Sequence, residues 1–120
     1  MKFVWTTIQV RDLDRSLAFY HDLLGMPVCE RFQGNGNEIT MLGDPEGTKL
    51  ELLCKPGGEP DAPGQGLSLG LAPQDLPALL ENLRAAGLDV TPPISPNPHL
   101  VFYFVKDPDG YSVQLVQQSE

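Results

Sequence analysis

Apolar and polar residues alternate at the start of the chain, with Val4, Thr6, Ile8 and Val10 on one side and Trp5, Thr7 and Gln9 on the other, the period of a half-buried strand. The period then changes. Leu13, Leu17, Tyr20 and Leu24 recur at helical spacing behind Asp12, whose carboxylate can cap the first free N–H groups. Gly25 stands where a helix ends on a left-handed residue. The pattern next predicts strands over 28–32 and 39–42 around Asn35-Gly36, a dipeptide that takes positive φ at both centres of a type I′ turn at little cost. Residues 48–54 form a further predicted strand, introduced by the turn Asp44-Pro45-Glu46-Gly47.

Residues 55–66 hold four glycines and three prolines, too many breakers for a helix or strand, and are expected to be a linker. The plan then starts again. Leu67, Leu69 and Leu71 alternate as a strand, Asp75 precedes a helix with Leu76, Leu79, Leu80 and Leu83 on one face, and Gly87 ends it. Strands over 101–105 and 111–116 follow, joined by Asp107-Pro108-Asp109-Gly110.

At a constant offset of 63 residues, Asp12 falls on Asp75, Leu13 on Leu76, Leu17 on Leu80, Asp44 on Asp107, Pro45 on Pro108, Gly47 on Gly110 and Leu52 on Leu115. The coincidences mark corresponding helix starts and turns, so the chain reads as two tandem βαβββ modules of α+β class: module one 1–54, the linker, and module two 67–120. One segment departs from the repeat. Residues 91–99 contain four prolines, which remove too many ladder donors for an interior strand, so a stiff loop or poor edge strand is expected there.

Composition narrows the function. A chain of 120 residues, 41% hydrophobic and 20% charged, suits one globular domain that needs neither a disulfide nor a structural metal. Sixteen acidic against eight basic residues give a net charge of -8, which repels a phosphate backbone, so nucleic acid is excluded as a partner. No apolar run approaches the roughly 18 residues of a membrane span or the pattern of a secretory signal. Cys29 and Cys54, without a CxxC, are expected to be inert thiols in a reducing cytoplasm.

The run Ile8-Gln9-Val10-Arg11-Asp12-Leu13-Asp14-Arg15-Ser16-Leu17-Ala18-Phe19-Tyr20, then Leu23-Leu24-Gly25-Met26, resembles the opening module of the vicinal oxygen chelate superfamily. Asp107-Pro108-Asp109-Gly110-Tyr111 with Val113-Gln114-Leu115 resembles its closing strand. That superfamily includes glyoxalase I, extradiol dioxygenases, methylmalonyl-CoA epimerase and the bleomycin and fosfomycin resistance proteins. The resemblance implies two βαβββ modules with curled mixed sheets forming an open cleft. It also implies four positions, on the first and last strand of each module, where family enzymes hold a divalent metal.

Carried over onto this sequence, those positions are Trp5, Glu51, Ser68 and Gln114, which themselves obey the 63-residue offset. Trp has no lone pair to give, and one carboxylate with an amide and a hydroxyl competes poorly for nickel or zinc. His21, in the first predicted helix, and His99, in the proline-rich segment, do not replace the missing ligands.

The expectation is therefore a small-molecule binding protein without bound metal or other cofactor, with Trp5, Glu51, Ser68 and Gln114 as ligand contacts and His99 as a further one. Trp5 could instead be apolar filling, and Ser68 and Gln114 could make structural hydrogen bonds. The alternative is a glyoxalase I-like lyase or related enzyme using Glu51 as general base, with or without a divalent ion. Gln9 speaks against the glyoxalase version, since that family's pattern has an arginine there. Open sheet edges lead to the expectation of a homodimer, and membrane partners are excluded.

Overall fold

The computed structural model describes residues 1–119. Each half of the chain follows the same path. In the first, β1 (Trp5–Gln9) leads into α1 (Leu13–Leu17), and β2 (Val28–Gly34), β3 (Asn37–Leu42) and β4 (Lys49–Cys54) complete a sheet of order β1-β4-β3-β2. In the second, β5 (Ser68–Leu71), α2 (Leu76–Ala85), β6 (Ile94–Asn97), β7 (Leu100–Lys106) and β8 (Ser112–Gln118) give the order β5-β8-β7-β6. The repeat extends to register: Thr7 stands beside Glu51 in the parallel pair β1/β4, and Gly70 beside Gln114 in β5/β8. The chain divides into two compact units, Met1–Pro63 and Gly64–Glu120, so the boundary falls inside the glycine- and proline-rich stretch.

The local signals act as their chemistry requires. Asp12 accepts from the N–H groups of Asp14 and Arg15, and Asp75 from that of Ala78, satisfying donors that have no partner within the helix. Asn35 and Gly36 have φ of 52° and 80° and close the two-residue turn between Gly34 and Asn37. The proline-rich segment supplies the poor edge strand β6, which meets β7 only at Ile94–Phe102 and Asn97–Leu100.

One helix face differs from its pattern. α1 continues as a π-helical turn over Ala18–Leu23, with the Leu24 N–H bonded to the Phe19 carbonyl at 2.9 Å. Leu13 and Ser16 of α1 and Phe19 and Tyr20 of the π-helical turn are buried, while Leu17 and Leu24 are half-buried. In the first unit the core consists of these residues with Ile8, Val10, Leu50, Leu52, Thr40 and Leu42, α1 lying on β4. In the second, Leu76, Leu79, Leu80 and Leu83 of α2 are buried as their spacing predicts, with Leu69, Val105, Val113 and Leu115. Each fully buried leucine contributes about 1.5–3 kcal/mol of apolar transfer energy. The opposite face of each sheet is where the candidate residues stand.

Candidate functional site

Strand alternation sends Ile8 and Val10 into the core and leaves Trp5, Thr7 and Gln9 on the other face of β1, in register with Lys49, Glu51 and Leu53 of β4. The central pair is bonded. Thr7 Oγ1 donates to Glu51 Oε1 at 2.6 Å, which orients the carboxylate and occupies one of its oxygens. Met41, the β3 neighbour of Glu51, and Ile39 beside Leu53 are buried on this face, so the carboxylate stands next to apolar surface.

Trp5 lies two residues along β1 from Thr7, about 7 Å away, and its residue is 50% exposed. With Val4, Glu30, Met41 and Lys49 it lines a shallow pocket of about 260 Å³. The Lys49 ammonium is bonded to the Pro45 and Gly47 carbonyls at 2.9 and 3.1 Å, which ties its charge to the turn before β4.

At the other end of the same face, Gln9 Oε1 accepts from the Asp61 N–H at 2.8 Å, and its Nε2 donates to Asp61 Oδ2 at 3.1 Å. Lys55 Nζ meets Asp61 Oδ1 at 2.6 Å. The Lys55 contact first, and the Gln9 bond second, hold the Asp61 carboxyl below the usual carboxylate range.

The second unit presents a corresponding face with different chemistry. Ser68 pairs in register with Ser112, whose hydroxyl accepts from Lys106 Nζ at 2.7 Å. Gln114 stands between Gly70 and Phe104, so the place that Thr7 fills beside Glu51 has no side chain here. Phe104 and Phe102 pack edge to face at 5.6 Å, half-buried.

His99 lies apart from Ser68 and Gln114. It sits in the β6–β7 turn, its carbonyl accepting from the Ser119 N–H and its own N–H bonded to Asn97 Oδ1 at 2.8 Å. That places it at the far end of β8 from Ser68, a separation of about 20 Å along the strand. His21 is exposed, with Nδ1 2.7 Å from the Met26 carbonyl just past the helix. Cys29 and Cys54 are unbridged and half-buried.

The model of the Glyoxalase/Bleomycin resistance protein/Dioxygenase superfamily matches residues 2–115. The chain belongs to this superfamily. Among curated superfamily members, a probable lactoylglutathione lyase of Synechocystis sp. is 32% identical to it over 99% of this chain and 97% of its own. The trypanothione-dependent glyoxalase I of Leishmania major superposes with a TM-score of 0.82 at 27% identity, covering 98% of this chain and 86% of that one. An antibiotic-binding protein from Streptomyces sp. CB03234 has the same fold, with a TM-score of 0.76 at 24% identity over 99% and 98% of the two chains.

The superfamily's metal does not fit the residues found at the four carried-over positions. Trp5 brings an indole, whose nitrogen is a donor only, Ser68 a hydroxyl and Gln114 an amide, leaving Glu51 as the one anionic ligand. Among the described residues no three His, Cys, Asp or Glu side chains converge as a metal cluster. Thr7 and Asp61 were not singled out by sequence reasoning. Alternation already put Thr7 on the Trp5 face, but nothing local points from Gln9 to Asp61.

Proposed function

We propose that this protein binds a small neutral or cationic molecule without a metal ion, with Trp5 and Glu51 as its contacts on the first module. On the second module, considered by itself, Ser68 and Gln114 are proposed as ligand contacts on the corresponding face. The observation that carries the proposal is the pairing of an exposed indole with a carboxylate held by Thr7 on one sheet face, at positions where the family pattern calls for metal donors. An indole offers a stacking surface and attracts a cation to its ring face, while Glu51 adds charge complementarity. The net charge of -8 favours the approach of such a ligand over an anionic one.

Lyase activity is the second reading, favoured by the names of relatives such as the Synechocystis protein. The donor set argues against its metal-dependent form, and a metal-independent form would rest on Glu51 as base. Elemental analysis of protein purified without chelator decides between them, with less than about a tenth of an equivalent of nickel, zinc, iron or manganese expected. Hemithioacetal isomerisation is expected to be absent with each ion added. Near one equivalent of metal, lost in Glu51→Ala, with turnover restored by that ion, would replace binding with lyase chemistry.

The protein is further proposed to act as a cytoplasmic homodimer. Two thiols outside any disulfide suit a reducing compartment, and the edge strands β1, β2, β5 and β6 leave backbone groups that a second copy can cover.

A further inference from the structure

We propose that Gln9 determines specificity on the Trp5–Glu51 face by clasping residues 55–61 across its end, where Asp61 then neutralises Lys55 and leaves anionic ligands no free ammonium to pair with. The inference rests on that face being the ligand site. Gln9 follows Trp5 and Thr7 along the same side of β1, so its side chain is the next one after the Thr7–Glu51 pair. Both ends of its amide are engaged by one residue, Oε1 by the Asp61 N–H and Nε2 by Asp61 Oδ2. A residue with a donor and an acceptor two atoms apart can hold a backbone and a side chain together in this way; arginine, having donors only, cannot accept from the N–H.

Three further contacts bring the segment to that place. Lys55 at the end of β4 reaches Asp61 Oδ1 at 2.6 Å, closing the stretch into a loop. Gly58 passes so near the connection from β1 to α1 that a Cβ there would lie 2.6 Å from the Arg11 carbonyl oxygen, which only glycine permits. Pro60 is buried, so the loop is packed rather than merely tethered. The Asp61 side chain remains 69% exposed, with Oδ1 taken by Lys55 and Oδ2 by Gln9, so this end of the face carries a neutralised ion pair. A neutral or cationic molecule on Trp5 meets no opposition there. A glutathione conjugate, the anionic tripeptide class named for the lyase relatives, finds the Lys55 ammonium already occupied by Asp61.

The full-length protein tests this with Gln9→Ala and Asp61→Ala, using S-methylglutathione as the anionic probe and Trp5 fluorescence as the signal. In Gln9→Ala the Asp61 amide should exchange with deuterium about fivefold faster or more, since its acceptor has gone, while core amides of β3 keep parental rates. Both variants should bind S-methylglutathione at least about fivefold more tightly than the parent, and uncharged titrants equally well in all three. Unchanged exchange at Asp61 in Gln9→Ala would overturn the clasp, whatever binds. Faster exchange with unchanged tripeptide affinity would overturn its role in specificity. A Trp5 signal silent to every titrant, in parent and variants, would instead remove the ligand site and this role with it.

Discussion

Thr7 and Glu51 lie 44 residues apart in sequence and 2.6 Å apart in the protein, joined hydroxyl to carboxylate across the parallel strands β1 and β4. In the second module the same register brings Gly70 beside Gln114, so one half of the repeat has a carboxylate bonded to a hydroxyl and the other a neutral amide whose Oε1 lies 3.8 Å from where a Gly70 Cβ would stand. Thr7→Val keeps the shape and removes the bond. It should cost about 1 kcal/mol in denaturant unfolding, because the bond is charge-assisted but partly exposed. No measurable change would mean that water serves Glu51 equally well.

Trp5 is the only tryptophan, so its fluorescence reports on one place. Trp5→Ala should weaken a ligand that quenches it about tenfold or more, through loss of the aromatic surface. Glu51→Gln keeps the shape without the charge, and should weaken a cationic ligand while sparing a neutral one. If Glu51 is instead a base, that variant still binds and loses turnover, a separation visible in kcat against KM.

The Asp61 carboxyl is lowered from 3.8 by its bonds to Lys55 and Gln9. A depressed folded-state pKa means that the stabilisation is complete above the unfolded value and disappears as pH falls through the folded one. The 55–61 loop should therefore keep its protection from neutral pH down to about 4 and lose it below. A carboxyl NMR titration should give a midpoint below 3.8 in the parent, returning towards 3.8 in Lys55→Met.

The two Asp-Pro-x-Gly turns should respond differently to the same change. Asp107 is 5% exposed and accepts from the N–H groups of Asp109 and Tyr111 at 2.9 and 2.8 Å, whereas Asp44 is exposed and accepts from that of Glu46. Asp107→Ala leaves buried donors without an acceptor and should cost about 2–4 kcal/mol, while Asp44→Ala should stay within about 1 kcal/mol because water replaces the carboxylate. Equal costs in thermal unfolding would show that burial does not separate the two turns.

Light scattering at micromolar concentration should give about twice the 13.1 kDa chain mass, unaffected by moderate salt. A stable monomer would remove the dimer from the proposed function.

Much of the fold was legible because its signals act between near neighbours. Asp12 and Asp75 cap N–H groups two or three residues ahead, Asn35-Gly36 closes its own turn, and Leu76, Leu79, Leu80 and Leu83 share a face through helical period alone. Strand alternation set Trp5 out of phase with Val4 and Thr6, and Ser68 with Leu67 and Leu69, whereas Glu51 was reached only through the family resemblance. Tertiary structure decided what those side chains meet. The partner of Glu51 depends on which strand lies beside β4, and that of Gln9 on where a loop 52 residues later returns. The π-helical turn over Ala18–Leu23, the burial of Phe19 there, and the different burial of Asp44 and Asp107 in turns of one motif are likewise set by packing, which sequence period does not encode.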